Sequence, residues 1–449
     1  MILPSFPGSS VPDWIKRFLD GGGRGVVLFA YNCDDLPGLT AALRAEREDV
    51  LIAIDEEGGD VTRLEWRTGS SYPSSAALGA IDDPAVTEEV AAAIAADLAA
   101  AGVNWNYAPV ADVNVPENPV IGTRAFGSDQ TLVARHVAAA VRGTQRLGVA
   151  ACAKHFPGHG STTEDSHLSL PALEGSLEDG LEPFRAAIAA GVRSVMTAHI
   201  KVHAEAATLD RSIVHDLLRG ELGFDGVVVS DALEMKGVSS RFDLADAAVL
   251  AVEAGCDSLI AGHDVSEDDT MRMVDAIAER VTEERLAEAE ARLAALASFA
   301  RPQPAEASAA ATEAARRALR VEGDVSFAGA PKIVELRPVA NIAAGEAEHT
   351  LGSAIVVREG ETVPDADVYV VRDVHRHAWM EAADRPGAVI VETGLPVWQP
   401  QHARGRIVTL GGGRASLAAA EELLTSRRLG RRSQRAEVPA WPAPERTSA

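Results

Sequence analysis

Lysine is nearly missing from this 449-residue chain. Only Lys16, Lys154, Lys201, Lys236 and Lys332 appear among 42 basic residues. Arginine supplies the rest, yet Asp and Glu outnumber the bases 66 to 42, for a formal net charge of −24. A surface so short of positive charge repels phosphate backbones and anionic headgroups, so neither nucleic acid nor a membrane surface is an expected partner. Cysteine is scarce too. Cys33, Cys152 and Cys256 are odd in number, far apart and without a CxxC pair, which argues against a disulfide framework or zinc knuckle and fits a reducing compartment. No apolar run approaches the roughly 18 residues of a membrane-spanning helix. The start, MILPSFPGSSVPDWIKRF, lacks the basic and apolar regions of a signal peptide. No internal repeat is visible. The expectation is a soluble cytoplasmic protein in which a lysine inside a chemical motif is unusual.

What is present is a large reserve of core material. Hydrophobic residues make up 47% and charged residues 24%, which excludes disorder as the main state. Short β-branched runs at Gly25–Ala30, Val50–Ile54, Asn104–Val110, Gly148–Ala153, Arg193–Ala198, Gly226–Ser230 and Asp257–Ala261 alternate with Ala/Leu-rich helical patterns. The helical patterns at Val86–Ala101, Leu132–Leu147, Ser176–Ala190 and Asp243–Gly255 end at or just before a glycine. Such alternation predicts a parallel sheet with crossover helices. Seven units over 300 residues fit a (β/α)8-like TIM barrel, irregular because no eighth strand is evident. A Pro/Ala/Ser-rich stretch, RPQPAEASAAA, and a short helical pattern at 301–320 read as a linker. Strand-like runs at Ile333–Leu336, Ala354–Val357, Val368–Val371, Ala388–Glu392 and Ile407–Leu410, with a helix at Ser416–Leu424, predict a smaller α/β sandwich domain over 321–430. The polar, Pro-rich 431–449 reads as a disordered tail.

A barrel collects its chemistry at the C-terminal ends of its strands. Asp55 follows VLIAI, Asp112 follows NYAPVA, Lys154-His155 follow GVAACA, His199 follows RSVMTA, Asp231 follows GVVVS and His263 follows DSLIAG. A single Asp after a strand is commonly a helix cap or turn residue; six strand ends in agreement point to a site. The densest cluster is Lys154-His155-Phe156-Pro157-Gly158-His159-Gly160 with Asp165-Ser166-His167. Pro157-Gly158 breaks any helix that would put His155 and His159 on one face. A metal site built from His155, His159, Asp165 and His167 is one reading, and a Schiff base on Lys154 is another, disfavoured by the polar loop beside it. In a third, the Asp165 carboxylate holds one imidazole nitrogen of His167 and leaves the other to give and take a proton. That acid/base needs a nucleophile, for which Asp231 is best placed, ahead of Glu234 and Glu56. Gly411-Gly412-Gly413 before a helix is either a phosphate cradle or a plain strand-to-helix turn.

Taken together, KHFPGHG with DSH, IDEEGG…TRL (Ile54–Leu64), APVADV (Ala108–Val113), NPVIGTRAFG (Asn118–Gly127) and LGFDGVVVSDALEM (Leu222–Met235) resemble the N-acetylglucosaminidase branch of glycoside hydrolase family 3. The likeness runs through nearly all of the first 300 residues in order; beyond them only VETGLP (Val391–Pro396) is a local match. The resemblance implies a retaining mechanism without metal or cofactor. Asp231 would be the nucleophile, His167 the acid/base and Asp165 its partner. Asp55, Arg63, Arg124, Lys154, His155 and His199 would grip sugar hydroxyls. It also implies a carbohydrate substrate, β-linked N-acetylglucosamine as in peptidoglycan fragments. The chain departs from the family pattern at Glu56, Asp60, Ala232 and Asp210. Because a histidine acid/base does not repel an anion as a glutamate would, phosphate in place of water is an alternative acceptor, making a phosphorylase.

Overall fold

Strands that are apolar on both faces form where a parallel sheet is covered by helices, and the predicted runs become such strands. The computed structural model describes residues 1–305, 309–340, 342–345 and 349–425. One compact unit comprises Met1–Glu56, Thr87–Val113 and Asp129–Ser308. Its strands are β1 (Ile2–Pro4), β2 (Gly25–Leu28), β3 (Leu51–Ile54), β4 (Trp105–Asn106), β5 (Ala150–Phe156), β6 (Ser194–Thr197), β7 (Val227–Ser230) and β8 (Leu259–Ala261). β2 to β7 pair in parallel in sequence order, and β8 pairs in parallel with β1. A parallel bridge, Val229↔Ser258, joins β7 to the β8 segment. The architecture is a (β/α)8-like barrel, and the strand missing from the sequence reading is its first. Ile2–Pro4 is three residues long, too short for any periodicity to register.

Alternation along these strands fills the barrel. Leu3, Val27, Leu51, Ala53, Trp105, Tyr107, Ala150, Cys152, Met196, Val227, Val229 and Ile260 form one buried cluster with Leu293, Leu296, Ala297 and Ala300 from the helix Glu283–Phe299 and its end. The indole of Trp105 is satisfied inside it: Trp105 Nε1 donates to Ser194 Oγ (2.7 Å), which donates to the Ala151 carbonyl (2.9 Å). Two residues beyond Ala53, Cys152 and Val229 on the same face come Asp55, Lys154 and Asp231. Several helices begin on side-chain caps, as at Asp129, whose carboxylate accepts from Leu132 N at 2.7 Å. The predicted glycine stop at Gly148 has φ +75°, and a side chain there would collide with the Arg301 carbonyl. No helix among the described residues is long and apolar enough to cross a membrane.

The second unit comprises Glu57–Val86, Asn114–Ser128 and Ala309–Ala449. The units therefore do not follow a sequential division at residue 300, because the loops after β3 and β4 are counted with the C-terminal sheet. That sheet holds β9 (Arg320–Gly323), β10 (Ile333–Leu336), β11 (Ile355–Val357), β12 (Val368–Val371), β13 (Val389–Glu392) and β14 (Gly405–Val408) in the order β11-β10-β12-β13-β14-β9. All neighbours are parallel except β9, which runs antiparallel to β14. The parallel strands have the doubly wound order 2-1-3-4-5. Val368, Val370, Val389, Val391 and Ile407 face Leu417, Ala420 and Leu424 of the helix Arg414–Thr425. Tyr369, Val371 and Ile390 face the short turns containing Val374, Met380 and Ala383. Part of the predicted linker is a helix, Ala310–Ala318, buried on Ala311, Ala314, Ala315 and Ala318. The strand β9, at the linker's end, has polar and half-exposed residues that carry no strand signal. The segment 431–449 lies outside the described residues.

One carboxylate ties the base of the barrel together. Asp257, fully buried, accepts from Arg219 (2.5 Å), Arg285 (2.8 Å), Arg292 (3.1 Å) and the Val228 amide (3.0 Å). Removing its charge leaves three guanidinium groups facing one another. Asp257→Asn is expected to cost about 3–5 kcal/mol of stability, read as a lower denaturant midpoint, with little change in kcat of the folded enzyme.

Candidate active site

The mouth of the barrel begins with an ion pair. Lys154 Nζ, on β5 and almost wholly buried, donates to Asp55 Oδ1 at 2.5 Å. This is the rare lysine of the main motif, and its commitment to a carboxylate leaves no place for the Schiff-base reading. Beside it the fully buried Asp112 binds the end of β5. Oδ1 accepts from the backbone amides of His155 (3.2 Å) and His159 (2.7 Å), and Oδ2 pairs with His155 Nδ1 (2.8 Å). Burial alone would raise the Asp112 carboxyl, but His155 and His159 outweigh it and hold it below its usual range. Asp112 marks a strand end in the sequence, but its service as bracket for two histidines had no signal there.

Asp231 follows β7 with its amide bonded to the Thr197 carbonyl (3.2 Å) and its Oδ1 accepting from Ala232 N (2.8 Å). Burial works to raise this carboxyl; the nearby His199, His155 and His167 and the Ala232 amide overcome it and keep the group low. Asp231 is therefore held as an anion. The competing carboxylates are employed otherwise. Burial raises Glu234, and its Oε2 accepts from Gly262 N (3.1 Å). Glu56 is buried, its backbone stapled at N and O by the Asn106 side chain (3.0 and 2.9 Å). His199 requires a correction. It is fully buried, Nδ1 pairs with Thr208 Oγ1 and Nε2 with the Ala232 carbonyl, both at 2.9 Å. With both nitrogens taken, it props the chain after Asp231 and does not offer a nitrogen to a sugar hydroxyl. His263, another strand-end residue, is exposed and paired with Asp264.

The acid/base pair of the sequence reading is assembled. His167 Nδ1 lies 2.7 Å from Asp165 Oδ1, which also accepts the His167 amide at 2.8 Å. Burial would raise Asp165; the hydrogen bonds from His167 bring it below its usual range. The residue between them is held from two sides. Ser166 Oγ meets His159 Nε2 at 2.8 Å, and the Ser166 carbonyl accepts from Gly237 N at 3.1 Å. Burial pushes the His159 imidazole down to about 4, so it is neutral. Thr162 Oγ1 donates to the His159 carbonyl (3.0 Å) and accepts from Nδ1–H (2.9 Å), which leaves Nε2 to accept from Ser166. Both His159 nitrogens thus serve hydrogen bonds, Nδ1 of His155 and of His167 is held by a carboxylate, and among the described residues no three His, Cys, Asp or Glu side chains could hold a metal. The metal reading does not fit these residues.

Two further predicted site residues belong to the second unit. Arg124, almost fully buried, presents Nε and Nη2 to Glu57 (2.9 and 2.8 Å) and Nη1 to the Val120 carbonyl (3.3 Å). Arg63 Nη2 donates to the Ala343 carbonyl at 3.1 Å. Glu57 was missed, since an acidic loop residue reads as solvated until its arginine is seen. Asp210, a departure from the family pattern, pairs with His203 (2.9 Å) and Ser212 (2.6 Å).

A half-buried carboxylate at a barrel strand end, with an Asp–His pair on the neighbouring loop, can carry out displacement at carbon assisted by proton transfer. The comparisons narrow that class. Residues 23–296 match the glycosyl hydrolase family 3 N terminal domain, and the chain belongs to that family. A protein of Stenotrophomonas maltophilia (strain R551-3) named beta-hexosaminidase is 38% identical over 280 residues, 58% of this chain and 82% of that protein. One of the same name from Bordetella avium (strain 197N) is 38% identical over 253 residues, covering 53% and 72%. The solved structure of a family 3 β-N-acetylglucosaminidase from Paenibacillus sp. str. FPU-7 is 30% identical, covers 94% of this chain and 95% of its own, and superposes with a TM-score of 0.82.

Gly237 tests how closely the dyad loop is held. A Cβ there would stand 2.9 Å from His199 Cβ and 3.3 Å from the Ser166 carbonyl. Gly237→Ala is expected to push Ser166, and the dyad with it, out of place. The expected cost is about 10–100-fold in kcat on a chromogenic glycoside, with an unchanged circular dichroism spectrum.

Proposed function

We propose that this family 3 enzyme is a retaining exo-β-N-acetylhexosaminidase that releases N-acetylglucosamine from β-linked glycosides such as peptidoglycan fragments. The observation that carries the reading is the Asp165–His167 hydrogen-bonded pair together with Asp231, whose carboxyl is kept low in part by His167. In the first step an Asp231 oxygen bonds to the anomeric carbon as the bond to the leaving oxygen breaks, and His167 Nε2–H protonates that oxygen. Asp165 retains Nδ1–H throughout, so the imidazole left behind is a base at Nε2. In the second step that nitrogen takes a proton from water, the water oxygen bonds to the anomeric carbon, and Asp231 leaves. This replaces the second carboxylate of the usual two-carboxylate arrangement with an imidazole. Asp55, Lys154 and His155 would hold the hydroxyls of the reacting sugar, with Arg63 and Arg124 as further grips. The name shared by the relatives and the N-acetylglucosaminidase neighbour support the sugar assignment. Three free thiols suit a cytoplasmic enzyme.

Turnover of p-nitrophenyl-N-acetylglucosaminide, chitobiose and muropeptides, with and without phosphate, tests this. Free N-acetylglucosamine is the expected product in both conditions. N-acetylglucosamine 1-phosphate would instead make phosphate the acceptor. Asp231→Ala is expected to lose at least about 10³-fold in kcat on every substrate. His167→Ala should lose more on chitobiose than on the nitrophenyl glycoside, whose leaving group needs little protonation. Chelation should leave the rate unchanged. Because Asp231 is held low, kcat/KM should persist as pH falls to the ordinary carboxylate range near about 4 and decline below it, where Asp231 takes up a proton.

A further inference from the structure

Asp60 stands directly after the glycine pair of the β3 loop, and its partners in the second unit account for it. Oδ1 accepts from Arg372 Nη1 and from Gly412 N, both at 2.8 Å. Oδ2 accepts from Arg372 Nη2 (2.8 Å) and Thr123 Oγ1 (2.6 Å). Gly412 is the middle residue of the Gly411-Gly412-Gly413 turn that follows β14 and opens the twelve-residue helix Arg414–Thr425. Two glycine turns meet there backbone to backbone: a Cβ on Gly413 would come within 2.8 Å of the Gly59 carbonyl. Carboxyl ends of strands in a doubly wound sheet, and glycine turns at helix N-termini, form cradles for anions. Here the cradle is filled by the chain itself. Burial would raise the Asp60 carboxyl, but Arg372 and the other donors hold it at about 2.

We propose that Asp60 is a positioning residue, a built-in anionic ligand of the C-terminal sheet that sets Arg63 and Arg124 for sugar binding. Arg63 lies three residues beyond Asp60, and Arg124 adjoins Thr123, so one carboxylate fixes both turns. The inference rests on the proposed grip of Arg63 and Arg124 on the sugar. Asp60 would therefore govern KM and leave the chemical step at Asp231 and His167 alone.

The test is chemical rescue. Asp60→Ala is expected to raise KM for p-nitrophenyl-N-acetylglucosaminide about tenfold or more with kcat within about threefold. Formate at about 0.1 M, entering the vacated cradle, should bring KM back toward wild type and raise the variant's Tm, where equal chloride does neither. Arg372→Ala should raise KM similarly without responding to formate, since the fork that binds the carboxylate is gone. If Asp60→Ala does not fold, Asp60→Asn, which keeps the size and loses the charge, should show the same rise in KM. An unchanged KM in a folded Asp60 variant overturns the proposal, as does a raised KM that formate leaves untouched in folded Asp60→Ala. Arg63→Ala and Arg124→Ala separate the two readings. If neither alters KM, the sugar grip itself fails; if they raise KM and Asp60→Ala does not, only the positioning role fails.

Discussion

A barrel whose interior is packed with side chains can offer chemistry only at an end, and strand alternation decides which side chains arrive there. Trp105, Tyr107, Cys152, Met196, Val229 and Ile260 fill the inside of this one, and the helix Glu283–Phe299 contributes Leu293 and Leu296 to the same core. The next inward positions on three strands are then Asp55, Lys154 and Asp231. Beyond the last apolar layer these groups need partners, because an unpaired charge over such a core is costly. Lys154 and Asp55 answer each other. Asp231 is left with only a neighbouring amide and histidines at a distance, the condition of a carboxylate kept ionised yet available.

The proton-transfer groups are placed by a different principle. Asp165, Ser166 and His167 lie in a loop, where no ladder of backbone hydrogen bonds sets their position. Deep burial keeps His159 neutral, so it can accept a hydrogen bond from Ser166 without adding charge beside His167. Gly237, a few residues past Asp231, holds the other side of Ser166 through its amide, and its lack of a side chain lets that loop approach. The segments that carry Asp231 and His167, the proposed nucleophile and acid/base, are thus joined by a backbone hydrogen bond. A small shift in one is felt by the other, which matters for a reaction in which both act on the same bond.

Much of this was legible in the chain. Seven barrel strands, the smaller domain's parallel strands and the Asp165–His167 pairing follow from β-branched runs, glycine stops and a two-residue spacing. Among the features that escaped, three show the physical reasons. The first strand, Ile2–Pro4, owes its existence to the edge of β8 and has no periodicity of its own. His199 ends a strand like a binding residue, yet the two partners that occupy it, Thr208 and the Ala232 carbonyl, are nine and 33 positions away. Counting the β3 and β4 loops with the C-terminal sheet depends on pairs such as Asp60–Arg372, separated by 312 positions, and local pattern carries nothing across that distance.

The net charge of −24 would suggest a site hostile to anions and rich in carboxylates, but the local arrangement is different. Cations are matched by carboxylates within each unit: Lys154 with Asp55 in the barrel, and Arg124 with Glu57 and Arg372 with Asp60 in the second unit. Paired in this way, Lys154 and Asp55 present a donor and an acceptor side by side with little net charge. A neutral polyol, whose hydroxyls both donate and accept, matches such a surface better than a phosphate ester, which would call for cations in excess. The pairing also explains why the surface can be so acidic without penalty to the site: the charges that matter are compensated within a few ångströms, and those beyond the Debye length of about 8 Å are largely screened. The scarcity of lysine and the excess of acid therefore describe the exterior, while the ion pairs at close range fit a neutral sugar.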